Sequence, residues 1–169
     1  MPLTWEQKKK ICFDVAKGMI FLHECSDPVI HRDLKSLNLL LDNEIYTNST
    51  NFNVKIADFG LARTMDVVKD KMTAYMGTFH WMAPEIFENK PYTLKADVFS
   101  YAVCVWEVIT RQTPYKNLNS PHAIMKFVVM DKGRPDKNMI TRECPKELVE
   151  LMETCWEQDP EKRPTFMQI

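Results

Sequence analysis

A carboxylate, an ammonium group and an amide lie close together in a segment, 30–42, whose other residues are mostly apolar. They belong to Asp33, Lys35 and Asn38. Asp58 follows a second apolar run, and a hairpin between the two runs would bring it close to Asn38. Amide and carboxylate oxygens suit Mg²⁺, which takes few protein ligands and fills its shell with phosphate and water. Lys35 suits a phosphate and Asp33 is an available base for a hydroxyl, so these residues predict phosphoryl transfer.

The elements that must position these residues begin with a helix. Thr4 and Gln7 have the spacing of a capping box and precede apolar residues at helical spacing, so we expect a helix there that ends at the polar turn 25–28. Two short apolar runs, 37–41 and 53–57, predict the strands of a small hairpin. The polar loop between them gives no indication of a function.

The rest of the chain predicts further helices. The sequence Ala-Pro-Glu at 83–85 opens a short helix, and Thr93 caps a stretch that is apolar on nearly every face. That stretch predicts a helix buried at the centre of the fold. Ser120-Pro121 and Pro145 open two more helices, whereas residues 58–82 predict a long irregular segment. The expected fold class is mainly α (α+β), helical with one small β-hairpin.

Composition narrows the class of partner. The chain has 169 residues, 45% hydrophobic and 27% charged, with a net charge of −1, which does not indicate a nucleic-acid or acidic-membrane partner. The five cysteines contain no C-x-x-C pair and predict free thiols in a reducing, cytoplasmic compartment. The most apolar stretch, 101–109, is too short to span a membrane and contains Glu107.

Three motifs in order resemble those of protein kinases. The sequence HRDLKSLN at 31–38 matches the catalytic-loop signature H-R-D-L-x-x-x-N, Asp-Phe-Gly at 58–60 matches D-F-G, and residues 83–85 match A-P-E. Because three motifs share one order, coincidence is negligible. The resemblance covers residues 1–169 but only the C-terminal lobe of the family's fold, with the N-terminal lobe absent.

The resemblance implies a role for each polar residue of the site. Asp33 would accept the proton of the substrate hydroxyl, and Lys35 would contact the γ-phosphate of ATP. Asn38 and Asp58 would hold Mg²⁺, and Leu40 would form the floor beneath the adenine. Together these roles imply ATP-dependent phosphoryl transfer to a protein substrate.

Two further features resemble a particular part of the family. Lys35 is typical of serine/threonine kinases, and Thr78, which would contact Asp33 and Lys35, fits the same pattern. Ser36 and the sequence GTFHWMAPE at 77–85 resemble the tyrosine-kinase-like group. The resemblance therefore implies serine and threonine hydroxyls as the phosphoryl acceptors.

The resemblance also implies regulation by phosphorylation. Arg32, which precedes Asp33, would pair with a phosphate in the segment 58–85 and order it. Thr73 and Tyr75 are the candidate acceptors. The alternative is that both hydroxyls are ordinary solvated groups in an exposed loop.

Five residues are expected to support the site without reacting. His31 would pack near Phe59, and Asp97, a charge inside an apolar helix, would bond the backbone of the catalytic loop. Arg163 would pair with Glu85 of the A-P-E motif.

The sequence lacks other parts that a kinase needs. It contains neither the glycine-rich loop nor the V-A-I-K lysine, and both ends are expected to be cuts through a larger domain. One hypothesis is that the chain is the C-terminal lobe of a serine/threonine kinase, nearly inactive alone. A second is a kinase-like binding or regulatory module with little turnover. A third, a structural helical protein, gives no reason to retain the polar site residues together.

Overall fold

The computed structural model describes residues 2–47, 49–64 and 79–169 of the chain. The helices of this part are α1 (Trp5–His23), α2 (Pro84–Phe87), α3 (Lys95–Thr110), α4 (Pro121–Val129) and α5 (Lys146–Cys155). The strands are β1 (Val29–Ile30), β2 (Leu39–Leu41), β3 (Val54–Ile56) and β4 (Arg63–Thr64). The described part of the chain is therefore mainly helical with short strands, which confirms the predicted fold class.

Helix α1 begins at the predicted capping box. The Gln7 backbone N–H donates to Thr4 Oγ1 (3.3 Å), and the Thr4 backbone N–H donates to Gln7 Oε1 (3.0 Å). Both groups would otherwise be unpaired donors at the helix start. The apolar residues of the helix, Ile11, Val15 and Met19, are buried against the rest of the core.

Gln7 has a second structural role, which was not predicted from the sequence. Its side chain is fully buried, and its Nε2 donates to the backbone oxygens of Tyr46 (2.8 Å) and Ser49 (2.9 Å). These two carbonyls belong to the polar loop between β2 and β3. The first turn of α1 therefore holds that loop against the fold.

The predicted hairpin is formed by β2 and β3, but its strands are shorter than expected. The strands pair antiparallel, with Leu39 opposite Ile56 and Leu41 opposite Val54. The residues just before β2, Ser36–Asn38, form a turn of 3₁₀ helix and not the start of the strand. That turn places the Asn38 side chain in the interior instead of along the strand.

A second two-stranded sheet, β1 with β4, lies outside the prediction. Strand β4 falls in the segment that was expected to be irregular throughout. Two-residue strands have no periodicity to detect, so the sequence could not reveal this pairing.

Helix α3 is the centre of the core, as predicted. It packs against α1 and α5, and most of its residues are buried. It begins at Lys95 and not at Thr93, although the Thr93 hydroxyl accepts a hydrogen bond from the Lys95 backbone N–H (3.3 Å). The helices of the described ranges include none long and apolar enough to cross a bilayer.

The predicted pair between Arg163 and Glu85 is present. The guanidinium Nη1 and Nη2 donate to Glu85 Oε1 (2.7 Å) and Oε2 (2.8 Å), and both side chains are buried. Arg163 also donates to the backbone oxygens of Glu157 (2.8 Å) and Lys95 (2.9 Å). The arginine thus joins α2, the start of α3 and the C-terminal segment.

We expect Arg163→Ala to lower the free energy of unfolding by about 3–5 kcal/mol, because it leaves the Glu85 carboxylate buried without its partner. Urea unfolding followed by far-UV circular dichroism measures the loss. Lys137→Ala is the control, since it removes an exposed ion pair with Glu153 and is expected to stay near the parent. Equal stability of the two variants would contradict the prediction.

Candidate active site

Asp97 on α3 holds the start of the catalytic loop. The backbone N–H groups of His31 and Arg32 donate to its two carboxylate oxygens at 2.8 and 2.9 Å, and His23 Nε2 lies 2.9 Å from Oδ2. Asp97 is almost completely buried, and a buried carboxylate needs such donors in place of water. The contact with the loop backbone was predicted, whereas the one with His23 was not.

Two residues of the motifs adopt a strained backbone conformation. Arg32 has φ 67° and Asp58 has φ 63°, the left-handed region that residues with a Cβ rarely occupy. Such a conformation costs about 1–3 kcal/mol and persists only where surrounding contacts enforce it. At Arg32 the hydrogen bond from its N–H to Asp97 is one of those contacts.

Lys35 and Asn38 converge on the Asp33 carboxylate. Lys35 Nζ donates to Asp33 Oδ2 at 2.7 Å, and Asn38 Nδ2 donates to the same oxygen at 3.1 Å and to the Asp33 backbone oxygen at 2.8 Å. The other carboxylate oxygen, Oδ1, is buried and has no hydrogen-bond partner among the residues that the structure describes. An acceptor in this condition is suited to a hydrogen-bond donor from outside the chain.

Asn38 and Asp58 flank opposite strands of the hairpin, Asn38 just before β2 and Asp58 two residues after β3. The Ala57 backbone N–H donates to the Asn38 backbone oxygen at 2.9 Å, so Asp58 follows directly after the residue paired with Asn38. The Asn38 amide nitrogen donates its hydrogen bonds to Asp33, so the amide oxygen is the atom of this side chain that could bind a metal ion. Asp58 is exposed, and its Oδ1 accepts a 3.3 Å hydrogen bond from the Gly60 N–H.

These two oxygens fit Mg²⁺, which needs only one or two hard protein ligands. In the ranges that the structure describes, no three residues of the types His, Cys, Asp and Glu come together as a metal cluster. A metal held mainly by protein side chains is therefore not indicated there, whereas one completed by phosphate and water agrees with the donor set.

His31 packs as predicted and has no position from which to act as a base. Its ring lies 5.1 Å from the ring of Phe59, measured between centroids. The Asp33 N–H donates to His31 Nδ1 (3.3 Å), so Nε2 carries the proton and donates to the Ala57 backbone oxygen (3.2 Å). Both ring nitrogens are therefore used inside the structure.

Leu40, which the sequence places under the adenine, is exposed on β2. Leu37, Leu41 and Phe59 are also exposed large apolar side chains of the hairpin and the D-F-G motif. Apolar side chains near a polar site can contact a planar base.

The partly buried Arg32 lies beside the buried side chain of Tyr92. Arg32 Cζ lies 5.7 Å from the centre of the Tyr92 ring, a cation–π arrangement. Arg32 Nε and Tyr92 Oη are buried, and no described residue forms a hydrogen bond with either atom. Burial raises the pKa of Tyr92, and the charges of Arg32 and Arg63 partly oppose that shift.

The remaining predicted residues cannot be placed. Thr73 and Tyr75, the candidate phosphate acceptors, and Thr78, the predicted contact of Asp33 and Lys35, lie outside the described residues. Their roles remain predictions from the sequence.

Glu107 on α3 is a site residue that sequence reasoning missed. Its Oε1 accepts a hydrogen bond from Ser36 Oγ (2.9 Å) and its Oε2 one from Trp81 Nε1 (2.6 Å). Burial raises the pKa of Glu107 to about 6, although both hydrogen bonds lower it. The available signal was a charge within an apolar helix, which is the signal that identified Asp97.

Comparison with known proteins extends these observations. The family model described as protein tyrosine and serine/threonine kinase matches residues 1–169. The chain is 46% identical over 160 residues to a serine/threonine-protein kinase, STY17, of Arabidopsis thaliana, covering 95% of this chain and 26% of the relative. It is 41% identical to the probable serine/threonine-protein kinase drkC of Dictyostelium discoideum, covering 99% of this chain and 21% of the relative.

A third relative supports the same grouping. The putative mitogen-activated protein kinase kinase kinase 7-like protein of Drosophila melanogaster is 38% identical, with 98% of this chain and 40% of the relative covered. The chain thus spans less than half the length of these relatives. The match over the whole chain shows that it belongs to the protein kinase family, in the tyrosine-kinase-like group that its motifs predicted.

Proposed function

We propose that the chain is the catalytic-loop part of a serine/threonine kinase domain, which transfers the γ-phosphoryl group of ATP to serine or threonine hydroxyls of a protein. One observation carries the proposal. Two donors, Lys35 and Asn38, fix one oxygen of the Asp33 carboxylate, and the other oxygen is buried without a partner in the described part of the chain. This arrangement suits a general base whose second oxygen accepts a hydrogen bond from the substrate hydroxyl.

Asp33 is the proton acceptor of the proposed reaction. Its Oδ1 accepts a hydrogen bond from the substrate hydroxyl, orients that oxygen and takes the proton as the new bond to phosphorus forms. The contacts at Oδ2 prevent rotation of the carboxylate. Lys35 Nζ, 2.7 Å from Oδ2, places a positive charge next to the position of the transferred group.

Asn38 and Asp58 are the proposed ligands of Mg²⁺. When bound, the ion neutralises the charge of the phosphate oxygens. Asn38 offers its amide oxygen because its nitrogen is used on Asp33, and that bond also fixes the amide orientation. Leu40 is the proposed apolar contact of the adenine. Its exposed side chain is on β2, two residues after the proposed ligand Asn38.

The choice of serine and threonine hydroxyls as phosphoryl acceptors is based on residue types and on the names of the relatives. Lys35 and Thr78 fit the serine/threonine pattern, and the plant and amoeba relatives carry serine/threonine-protein kinase in their names. We assign serine and threonine hydroxyls to this chain on that basis. A cytoplasmic location is part of the same proposal.

The relatives' greater length supports a further part of the proposal. We assign residues 1–169 to one portion of a kinase domain, whose glycine-rich loop and nucleotide-binding lysine this sequence does not contain. The alternative, a binding or regulatory module with little turnover, uses the same fold. A phosphoryl-transfer assay of the complete gene product distinguishes the two, because only the first transfers phosphate.

We expect Asp33→Asn in the complete gene product to lower kcat by about 10²–10⁴, because the amide cannot accept the proton. Transfer of labelled phosphate from Mg-ATP to a generic protein substrate measures the loss. Asp136→Asn is the control, since Asp136 is an exposed carboxylate that accepts a 2.9 Å hydrogen bond from the Asn138 N–H.

Two outcomes separate the possibilities. Parent-like activity of Asp33→Asn would contradict the role of Asp33. A parent protein that binds a partner and transfers no phosphate would favour the regulatory module. The 169-residue chain assayed alone is expected to be nearly inactive.

Arg32 is the proposed receiver of a regulatory phosphate. Its Nε is buried without a hydrogen-bond partner among the described residues, and both Arg32 and Arg63 lie close enough to Tyr92 to affect its pKa. The Arg32 guanidinium can pair with a phosphate on Thr73 or Tyr75 and order the segment that carries it. Activity would then depend on the phosphorylation state.

We expect phosphatase treatment to reduce the activity of the parent protein, and Arg32→Gln to bring the ratio of treated to untreated activity close to one. The physical reason is that the neutral amide cannot pair with the phosphate. Thr73→Ala and Tyr75→Phe identify the acceptor, and Arg142→Gln, at an exposed arginine, is the control. A parent-like phosphatase effect in Arg32→Gln would contradict the assignment.

A further inference from the structure

We propose that Glu107 is a positioning residue for phosphoryl transfer, because its carboxylate joins the turn that carries Asn38 to the Trp81 side chain just before A-P-E. This inference rests on the proposed function. Glu107 touches neither of the reacting groups and would act through Ser36 and Trp81.

The contacts of Glu107 are divided between two segments. One oxygen accepts from Ser36, the first residue of the 3₁₀ turn that ends at Asn38, and the other accepts from the Trp81 indole. Trp81 is also held through its backbone, because Ser100 Oγ on α3 donates to the Trp81 carbonyl at 2.8 Å. A movement of either segment would therefore break a hydrogen bond to α3.

Glu107 completes a second attachment of the catalytic loop to α3. Asp97 binds the loop at His31 and Arg32, and Glu107 binds it at Ser36. The two carboxylates are ten positions apart, about 15 Å along a helix axis. One rigid helix thus holds both ends of the loop, and Asp33 lies between the two attachments.

The charge of Glu107 is unfavourable for stability. Burial raises its folded-state pKa from an ordinary 4.5 to about 6, so the folded protein binds this proton more tightly than the unfolded chain does. The contribution of the group to stability is therefore greatest below pH 4.5 and is lost as the pH rises through about 6. At neutral pH the carboxylate is ionised at a cost, and a neutral glutamine should not lower stability.

Three other titratable groups lie near Glu107 or beside its hydrogen-bond partners and must be controlled for. They are the Cys104 thiol on α3, the Lys35 ammonium beside Ser36, and the His80 imidazole, whose ring contacts the Trp81 ring. Burial lowers the pKa of His80 from its ordinary value of 6.5, so the His80 imidazole is a second group whose protonation must be controlled. A His80→Asn variant separates the two groups.

The first test is kinetic and uses the complete gene product. We expect Glu107→Ala to lower kcat about tenfold with little change in the KM for ATP, since the loss of two hydrogen bonds to a charged group loosens the loop. Glu107→Gln is expected to recover most of this loss, because its oxygen can accept from Trp81 and its nitrogen can donate to Ser36. Ser36→Ala should show a smaller loss, and Glu147→Ala, at an exposed glutamate, none.

The free energy of unfolding of the same variants distinguishes a positioning role in catalysis from a purely structural role in the fold. The proposal predicts that Glu107→Gln unfolds at pH 7.5 no more easily than the parent. If Glu107→Gln loses activity and stability together, or if Glu107→Ala keeps the parent kcat, the positioning role is overturned. A parent without phosphoryl transfer overturns the proposed function first and the positioning role with it.

The second test needs no activity and uses the 169-residue chain. In ¹⁵N NMR spectra, the Trp81 indole N–H and the Ser36 amide should shift together as the pH passes through about 6. Trp81→Phe assigns the indole signal. The shift should persist in His80→Asn and vanish in Glu107→Gln. Independent midpoints for the two signals, or a shift that survives Glu107→Gln, would overturn the coupling.

Discussion

The catalytic loop depends on two carboxylates inside a helix that is otherwise apolar. Asp97 and Glu107 lie on α3, and a charge in that environment is tolerated only with hydrogen-bond donors around it. The donors are the backbone of His31 and Arg32 at one end of the loop and the Ser36 hydroxyl at the other. The need to satisfy buried charge therefore fixes the path of the loop.

This fixed path explains how a strained segment holds reactive groups in place. Arg32 adopts a left-handed conformation that its hydrogen bond to Asp97 helps to offset. The segment that follows directs Lys35 and Asn38 toward one oxygen of Asp33, and the other oxygen is buried and has no partner among the described residues. Groups held in advance of substrate binding need little reorganisation during the reaction, which is the main source of electrostatic catalysis.

Sequence reasoning predicted what depends on local pattern or family motif. The capping box at Thr4, the anchoring of the loop by Asp97 and the Arg163–Glu85 pair were expected and are present. Glu107 carries the same signal as Asp97, a charge within an apolar helix, but it was missed because none of the recognised motifs assigns it a partner such as Ser36, 71 positions away. The two-residue strands and the 3₁₀ turn at Ser36 were missed because they are too short to show a period. The roles of the site residues remain predictions.

The buried amide of Gln7 makes the residue type at position 7 dependent on the length of the loop between β2 and β3. Its Nε2 is satisfied by the Tyr46 and Ser49 carbonyls of the loop between β2 and β3. A relative with a tight turn in that place would bury the same amide without acceptors, at a cost of about 1–3 kcal/mol. During divergence, insertion or removal of this loop should therefore be accompanied by an exchange between glutamine and an apolar residue at position 7.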